Sequence, residues 1–162
     1  MIEKKFGIIG KPLSHSLSPI LHNFWFKKNN FKANYSLIEI EKNQIEIVLK
    51  KIRTRELDGI NVTIPYKQEV IPYLDLIIND AKETSSVNTI YLNNDNKLVG
   101  DNTDVYGFEK SFINNLDDKN LIGKNFFIIG AGGVSPSLIY ALAKKKLIRY
   151  LLVTELTKKQ RI

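Results

Sequence analysis

The chain has no cysteine, one methionine, one tryptophan and two histidines among its 162 residues. Without cysteine there is no disulfide framework and no thiolate metal site, and with only two histidines no metal site is expected. No run approaches the eighteen or so apolar residues of a membrane span, so no membrane partner is expected. The opening MIEKKFGIIG lacks an apolar stretch of signal-peptide length, which points to a reducing cytoplasm. Negative charge is the scarcer sign, and the sum is +7. The lysines are nevertheless scattered through helical segments rather than gathered with aromatics on one stripe, so nucleic acid is not expected as a partner. At 43% hydrophobic residues the chain can bury a core, as one domain or one and a part.

What is present is a rhythm. Short β-like runs, FGIIG (6–10), YSLIEI (35–40) and GINVTI (59–64), alternate with helical patterns of ten or more residues. That alternation predicts an α/β fold with a mostly parallel sheet. The first helix is expected to start with Ser18 as N-cap and Pro19 at its first position, and to run to Asn29-Asn30. The second opens at Asn43, with Glu46 completing a capping box. A third helical stretch follows near 76–84, and TIYLNNDNKLVGDN reads as a hairpin at the sheet edge, turning at Asn94-Asp95-Asn96. A new unit then begins: a helix from about Asp104, a buried strand NFFIIG (125–130), the loop GAGGVS, a helix to Lys146 and a strand YLLVT (150–154). One βαβ unit cannot cover both faces of its sheet, so Ile128, Ile129, Leu151 and Leu152 are expected to lack partners. The expectation is a fragment, or a chain awaiting a partner. The polar stretch 114–124 is the candidate linker.

Five constellations carry chemistry. In Ser14-His15-Ser16-Leu17-Ser18-Pro19, two hydroxyls lead into a helix N-terminus, either as an anion site or as ordinary capping. Asn61 and Thr63 share one side of an alternating strand, and Lys67 follows; this is either the polar lining of a pocket or an edge strand with a solvated lysine. The loop Gly130-Ala131-Gly132-Gly133, with Val134, follows an apolar strand and precedes a helix, and is either the context in which a pyrophosphate is bound or a glycine-rich turn with no ligand. Pro136 falls in that helix's first turn. Glu155 ends the next strand, where a carboxylate would accept from a ribose 2′-OH; it is otherwise a solvated side chain. Asp104, between the hairpin and the next helix, either favours that helix's dipole or faces Lys67. In one cleft the two would form a proton-handling pair, in which burial lowers the ammonium pKa and the carboxylate raises it. His15 and His22 are the rival acid/base groups, although His22 reads better as a packing residue.

Taken together, Ser14-x-Ser16, Leu17-Ser18-Pro19 with His22-Asn23, Asn61-Val62-Thr63-x-Pro65-x-Lys67, Val87-Asn88-Thr89, Gly100-Asp101-Asn102-Thr103-Asp104 and Gly130-Ala131-Gly132-Gly133 closely resemble the shikimate dehydrogenase family. The resemblance implies an N-terminal βαβ substrate-binding domain over residues 1–103, then the beginning of a Rossmann-like doubly wound domain over 104–162. It implies an oxidoreductase that reduces 3-dehydroshikimate to shikimate reversibly with NADP, in aromatic amino-acid biosynthesis, as a monomer or homodimer. Lys67 would be the catalytic acid/base and Asp104 its partner. Ser14 and Ser16 would hold the substrate carboxylate, and Asn61, Thr63, Asn88 and Asp104 would bind ring hydroxyls or orient Lys67. The loop with Val134 would carry the cofactor pyrophosphate.

Three departures qualify the resemblance. Val105 stands where the family usually has glycine. Glu155-Leu156-Thr157 replaces the family's Asn-Arg-Thr and so lacks the arginine for a 2′-phosphate, which suggests NAD. The family also continues well beyond residue 162. The alternative reading is a non-catalytic shikimate-binding domain without a working cofactor site.

Overall fold

The computed structural model describes residues 3–115, 125–144 and 150–153. Strand β1 (Lys4–Gly10), helix α1 (Ser18–Lys28) and strand β2 (Ala33–Glu39) form the first βαβ unit, followed by α2 (Ile45–Arg53) and β3 (Gly59–Val62). Next come β4 (Leu76–Ile77), α3 (Asp80–Thr84), β5 (Thr89–Leu92), β6 (Leu98–Asp101) and α4 (Asp104–Ser111). The chain continues with β7 (Phe126–Ile129), α5 (Ser135–Lys144) and β8 (Tyr150–Val153). Six strands make one sheet in the order β2-β1-β3-β5-β6-β4, and β7 pairs with β8 in parallel. Within the large sheet β1·β2, β1·β3 and β4·β6 are parallel, while β5 runs antiparallel to both neighbours.

The main core lies between this sheet and α2. Ile45, Val48, Leu49 and Ile52 of that helix are all buried, at the i, i+3, i+4, i+7 spacing of one helical face, and meet Ile9, Ile60, Val62 and Ile90 from the strands. Helix α1 covers the other face less completely. None of its residues is fully buried, and Leu17, Ile20, Leu21, Phe24 and Trp25 are exposed. A second cluster, Val105, Ile113, Ala141 and Leu142, joins α4 to α5 and takes in Phe126 and Ile128.

Several local expectations are corrected. Ser18 is not the N-cap: Leu17 occupies that place, its carbonyl accepts from the Leu21 N–H, and Ser18 is already helical. The capping box is Glu41 with Gln44, whose Oε1 accepts from the Glu41 N–H at 2.8 Å, and it closes a 3₁₀ turn over Lys42–Gln44 before α2. Residues 76–77 are strand, not helix. The Asp75 carboxylate accepts from Leu98 N–H and from Arg53, and so ties this segment to the β6 edge. Left-handed backbone at Asn79 and Ser85 then limits α3 to five residues. The hairpin turns where expected, with Asn93 Oδ1 accepting from the amides of Asp95 and Lys97, but it is not at the edge, because β4 lies outside β6. Among the described residues strand β7 is covered on one side only: Phe127 is 62% and Ile129 82% exposed, whereas Ile128 finds partners in the second cluster. Residues 116–124 of the candidate linker, 145–146 at the end of the helix, and Thr154 lie outside the described residues, and nothing is described of the side chains of Leu151 and Leu152.

Candidate active site

Lys67 is fixed from its backbone outward. The preceding Tyr66 is buried, and its hydroxyl donates to the Ile40 carbonyl at 2.7 Å, so the next side chain must leave the core. The Lys67 carbonyl accepts from Val87 N–H at 2.8 Å, which binds its turn to the segment entering β5. From there the side chain reaches Asp104, with Nζ donating to Oδ2 at 2.6 Å. The two are 12% and 23% exposed, so solvent screens the pair only partly, yet a proton can still reach it.

Asp104 is held on its other oxygen too. Asn88 Nδ2 donates to Oδ1 at 2.8 Å and also meets Thr103 Oγ1, while Asn88 Oδ1 accepts from Thr103 N–H and Thr89 Oγ1. Asp104 opens α4, where the dipole favours a carboxylate. It does not cap the helix. Asn102 does so, with Oδ1 accepting from the amides of Asp104 at 2.9 Å and Val105 at 3.3 Å. An Asn two residues ahead of a helix is a capping signal that a search for catalytic side chains passes over. Val105 is buried in the second cluster.

Asn61 extends the network. Its Nδ2 donates to the Asn88 carbonyl and to Thr89 Oγ1, and its Oδ1 accepts from the Tyr35 hydroxyl at 2.7 Å. Tyr35 itself is gripped by α1: Asn23 donates to its carbonyl and accepts from its amide, both at 2.9 Å, and His22 stacks on its ring at 4.2 Å. Burial lowers the His22 imidazole pKa below its ordinary value. His22, Phe26, Tyr35 and Asn61 line a cavity of about 230 Å³ under α1. The His22-Asn23 pair, Tyr35 and Asn102 therefore support the site, and for Tyr35 only its tertiary contacts disclose it.

Thr63 lies just past the end of β3, half-buried, with its amide bound to the Ile9 carbonyl. Ser14 is exposed in a turn, whereas Ser16 is half-buried, and its Oγ accepts from Ser18 N–H at 3.4 Å. Among the described residues no side-chain hydrogen bond joins Ser14, Ser16 or Thr63 to the Lys67 network. These three stand apart from it.

The glycine loop does meet Lys67. Ile64, Lys67, Ala131, Gly132, Gly133 and Pro136 line a cleft of about 240 Å³. Gly130 has φ +107°, a backbone that side chains oppose, and Ser135 Oγ donates to its carbonyl at 2.9 Å. At Gly133 the approach is close: a Cβ there would sit 3.4 Å from Lys67 Cδ. A side-chain-poor loop opening onto a helix N-terminus fits a dinucleotide pyrophosphate, and the acid/base candidate lines the same cleft. Glu155 and Leu156 lie outside the described residues.

Comparison with known proteins shows the family and the fold. The chain is 43% identical over 143 residues to the shikimate dehydrogenase (NADP(+)) of Pelagibacter ubique (strain HTCC1062), an alignment covering 88% of this chain and 53% of the relative. The structure of shikimate dehydrogenase 1 from Peptoclostridium difficile superposes with a TM-score of 0.85 at 34% identity, over 98% of this chain and 58% of the other. The Listeria monocytogenes shikimate 5-dehydrogenase in complex with shikimate and NAD gives 0.81 at 29% identity, over 96% and 53%. The chain thus spans about half the length of the curated relatives it matches. Residues 8–90 match the family described as the shikimate dehydrogenase substrate binding domain, and by that match the chain belongs to the shikimate dehydrogenase family.

Proposed function

We propose that this chain supplies the substrate site and the acid/base of a shikimate dehydrogenase, interconverting 3-dehydroshikimate and shikimate in the cytoplasm. The observation that carries the proposal is the Lys67–Asp104 pair, half-enclosed and lining one cleft with the glycine loop. Residues 1–103 would form the substrate domain and 104–162 the beginning of the dinucleotide domain. A bound nicotinamide would supply the hydride in reduction and receive it in oxidation. Lys67 Nζ would give a proton to the carbonyl oxygen as it becomes a hydroxyl, and would take that proton back in the reverse direction. Asp104 keeps the ammonium aimed and balances its charge; Asn88, by occupying the other carboxylate oxygen, prevents Asp104 from turning away. Asn61 has both amide hydrogens engaged within the protein and retains one acceptor lone pair on Oδ1 for a substrate hydroxyl. Ser14 and Ser16 would receive the substrate carboxylate, and of the two Ser16 is the better enclosed.

The cofactor is proposed to be a nicotinamide dinucleotide carried on Gly130, Ala131, Gly132, Gly133 and Val134. The Pelagibacter ubique relative is named for NADP(+), while the Listeria monocytogenes structure holds NAD. In this chain Glu155 and Leu156 favour NAD, because a carboxylate repels a 2′-phosphate and accepts from a 2′-OH. Titration calorimetry with shikimate, followed by NADP and NAD, tests the proposal. Shikimate binding together with binding of one dinucleotide supports it. Shikimate binding with neither dinucleotide favours the non-catalytic domain, and no shikimate binding overturns both.

A further inference from the structure

The segment Ser86-Val87-Asn88 makes three different ties within three residues. Val87 N–H holds the Lys67 carbonyl, Asn88 holds Asp104, and Ser86 Oγ–H donates to the carbonyl of Gly133 in the glycine loop at 2.8 Å. Ser86 is fully buried, so this hydroxyl exchanges no partner with water. Asn102 reinforces the junction: Nδ2 donates to the Ser86 carbonyl at 2.8 Å and to Ser137 Oγ in α5 at 2.9 Å. A Cβ added at Gly133 would lie in ordinary contact with the aliphatic stem of Lys67, 3.4–3.6 Å away, so the loop passes close to that side chain. The loop's last glycine is therefore tied by a hydroxyl donor and held one side chain's width from Lys67.

A trans peptide points its N–H opposite to its C=O. By holding the Gly133 carbonyl, Ser86 also dictates the direction of the Val134 N–H at the entrance to α5, where an anion is received. We infer that Ser86 is a positioning residue, which orients the Gly133–Val134 peptide of the dinucleotide loop and keeps it in register with Lys67. This rests on the loop being the cofactor loop. The position needs a small side chain with a hydroxyl: alanine would fit the space and lose the donor.

The test is Ser86→Ala in this chain, read three ways. Native-state hydrogen exchange at the Ser135 and Ser137 amides, which bond to the carbonyls of Gly132 and Val134, should quicken about tenfold, the factor that one hydrogen bond's net contribution is worth. Exchange in β1 and β3 should not change. By calorimetry the dissociation constant for the dinucleotide that the unmodified chain binds should rise about tenfold, with shikimate affinity held within twofold. Unchanged exchange and unchanged dinucleotide affinity overturn this inference alone. Parallel losses for shikimate and dinucleotide also overturn it, because they mark general loosening rather than loop orientation. If the unmodified chain binds neither dinucleotide, the cofactor reading fails and this inference with it.

Discussion

The six-stranded sheet and the β7–β8 pair are built from similar apolar segments and end in different states. In the first, α2 lays four buried residues onto Ile9, Ile60 and Ile90, and the strands are enclosed on that face. In the second, α4 and α5 enclose Phe126 and Ile128 but leave Phe127 and Ile129 exposed. A strand destined for burial on both faces looks the same in sequence whether one face or both are covered. Lys67 sits where the well-packed region meets the less covered one. Lys67, Asn88 and Asn61 draw their fixed geometry from the former, and the glycine loop is attached to it through Ser86 and Asn102.

The sharpest way to break this comparison is a pair of truncations. Ile90→Ala empties a fully enclosed site and should cost about 2–5 kcal/mol in urea unfolding, whereas Ile129→Ala should stay within about 0.5 kcal/mol. Equal losses would mean that the exposed face of β7 is covered in solution. Next in size is Lys67→Ala in the active enzyme, expected to lower kcat by roughly a hundredfold or more with little change in substrate KM. A kcat near that of the unmodified enzyme would remove Lys67 from the chemistry.

The second region should instead govern cofactor choice. Replacing Glu155-Leu156 with Asn-Arg should shift the kcat/KM ratio toward NADP by about an order of magnitude and leave shikimate affinity alone. A marked preference for NADP in the unmodified enzyme would sink the assignment of Glu155. The smallest effect concerns pH. Burial lowers the His22 pKa, so the unfolded chain binds the proton more readily than the folded one. The stability this contributes is complete above the ordinary imidazole pKa of about 6.5 and declines as pH falls through it toward the lower folded value. His22→Gln should flatten the fall in melting temperature between about pH 7 and pH 5. An unaltered slope would show that other groups set it.

Much of the site was legible because its chemistry-bearing residues sit at strand ends and helix starts that periodicity marks. Asn61 lies on a strand with clear alternation, Asp104 opens a helix, and the glycine loop joins an apolar strand to a helix. The supporting Tyr35 was not legible in that way. It is an ordinary member of a strand until folding brings its hydroxyl to Asn61 and its backbone to Asn23. The misplaced caps differ in cause: at Asn43 the neighbouring Glu41 and Gln44 offered a competing capping box, whereas Ser18 is already helical and gives way to Leu17, which makes no side-chain cap bond.

By itself the sequence determined the α/β class, the βαβ order, the hairpin turn and the kinds of side chain available for proton transfer and anion binding. These follow from period, turn residues and functional groups, all of which are local. Tertiary structure alone decided that β4 rather than the hairpin takes the sheet edge, and that Lys67 pairs with a carboxylate 37 positions away. It also decided that Ser86 reaches the glycine loop across 47 positions. Such pairings carry no local signature, because their energy is gained only when distant segments bury their surfaces together and the polar groups left between them must find one another.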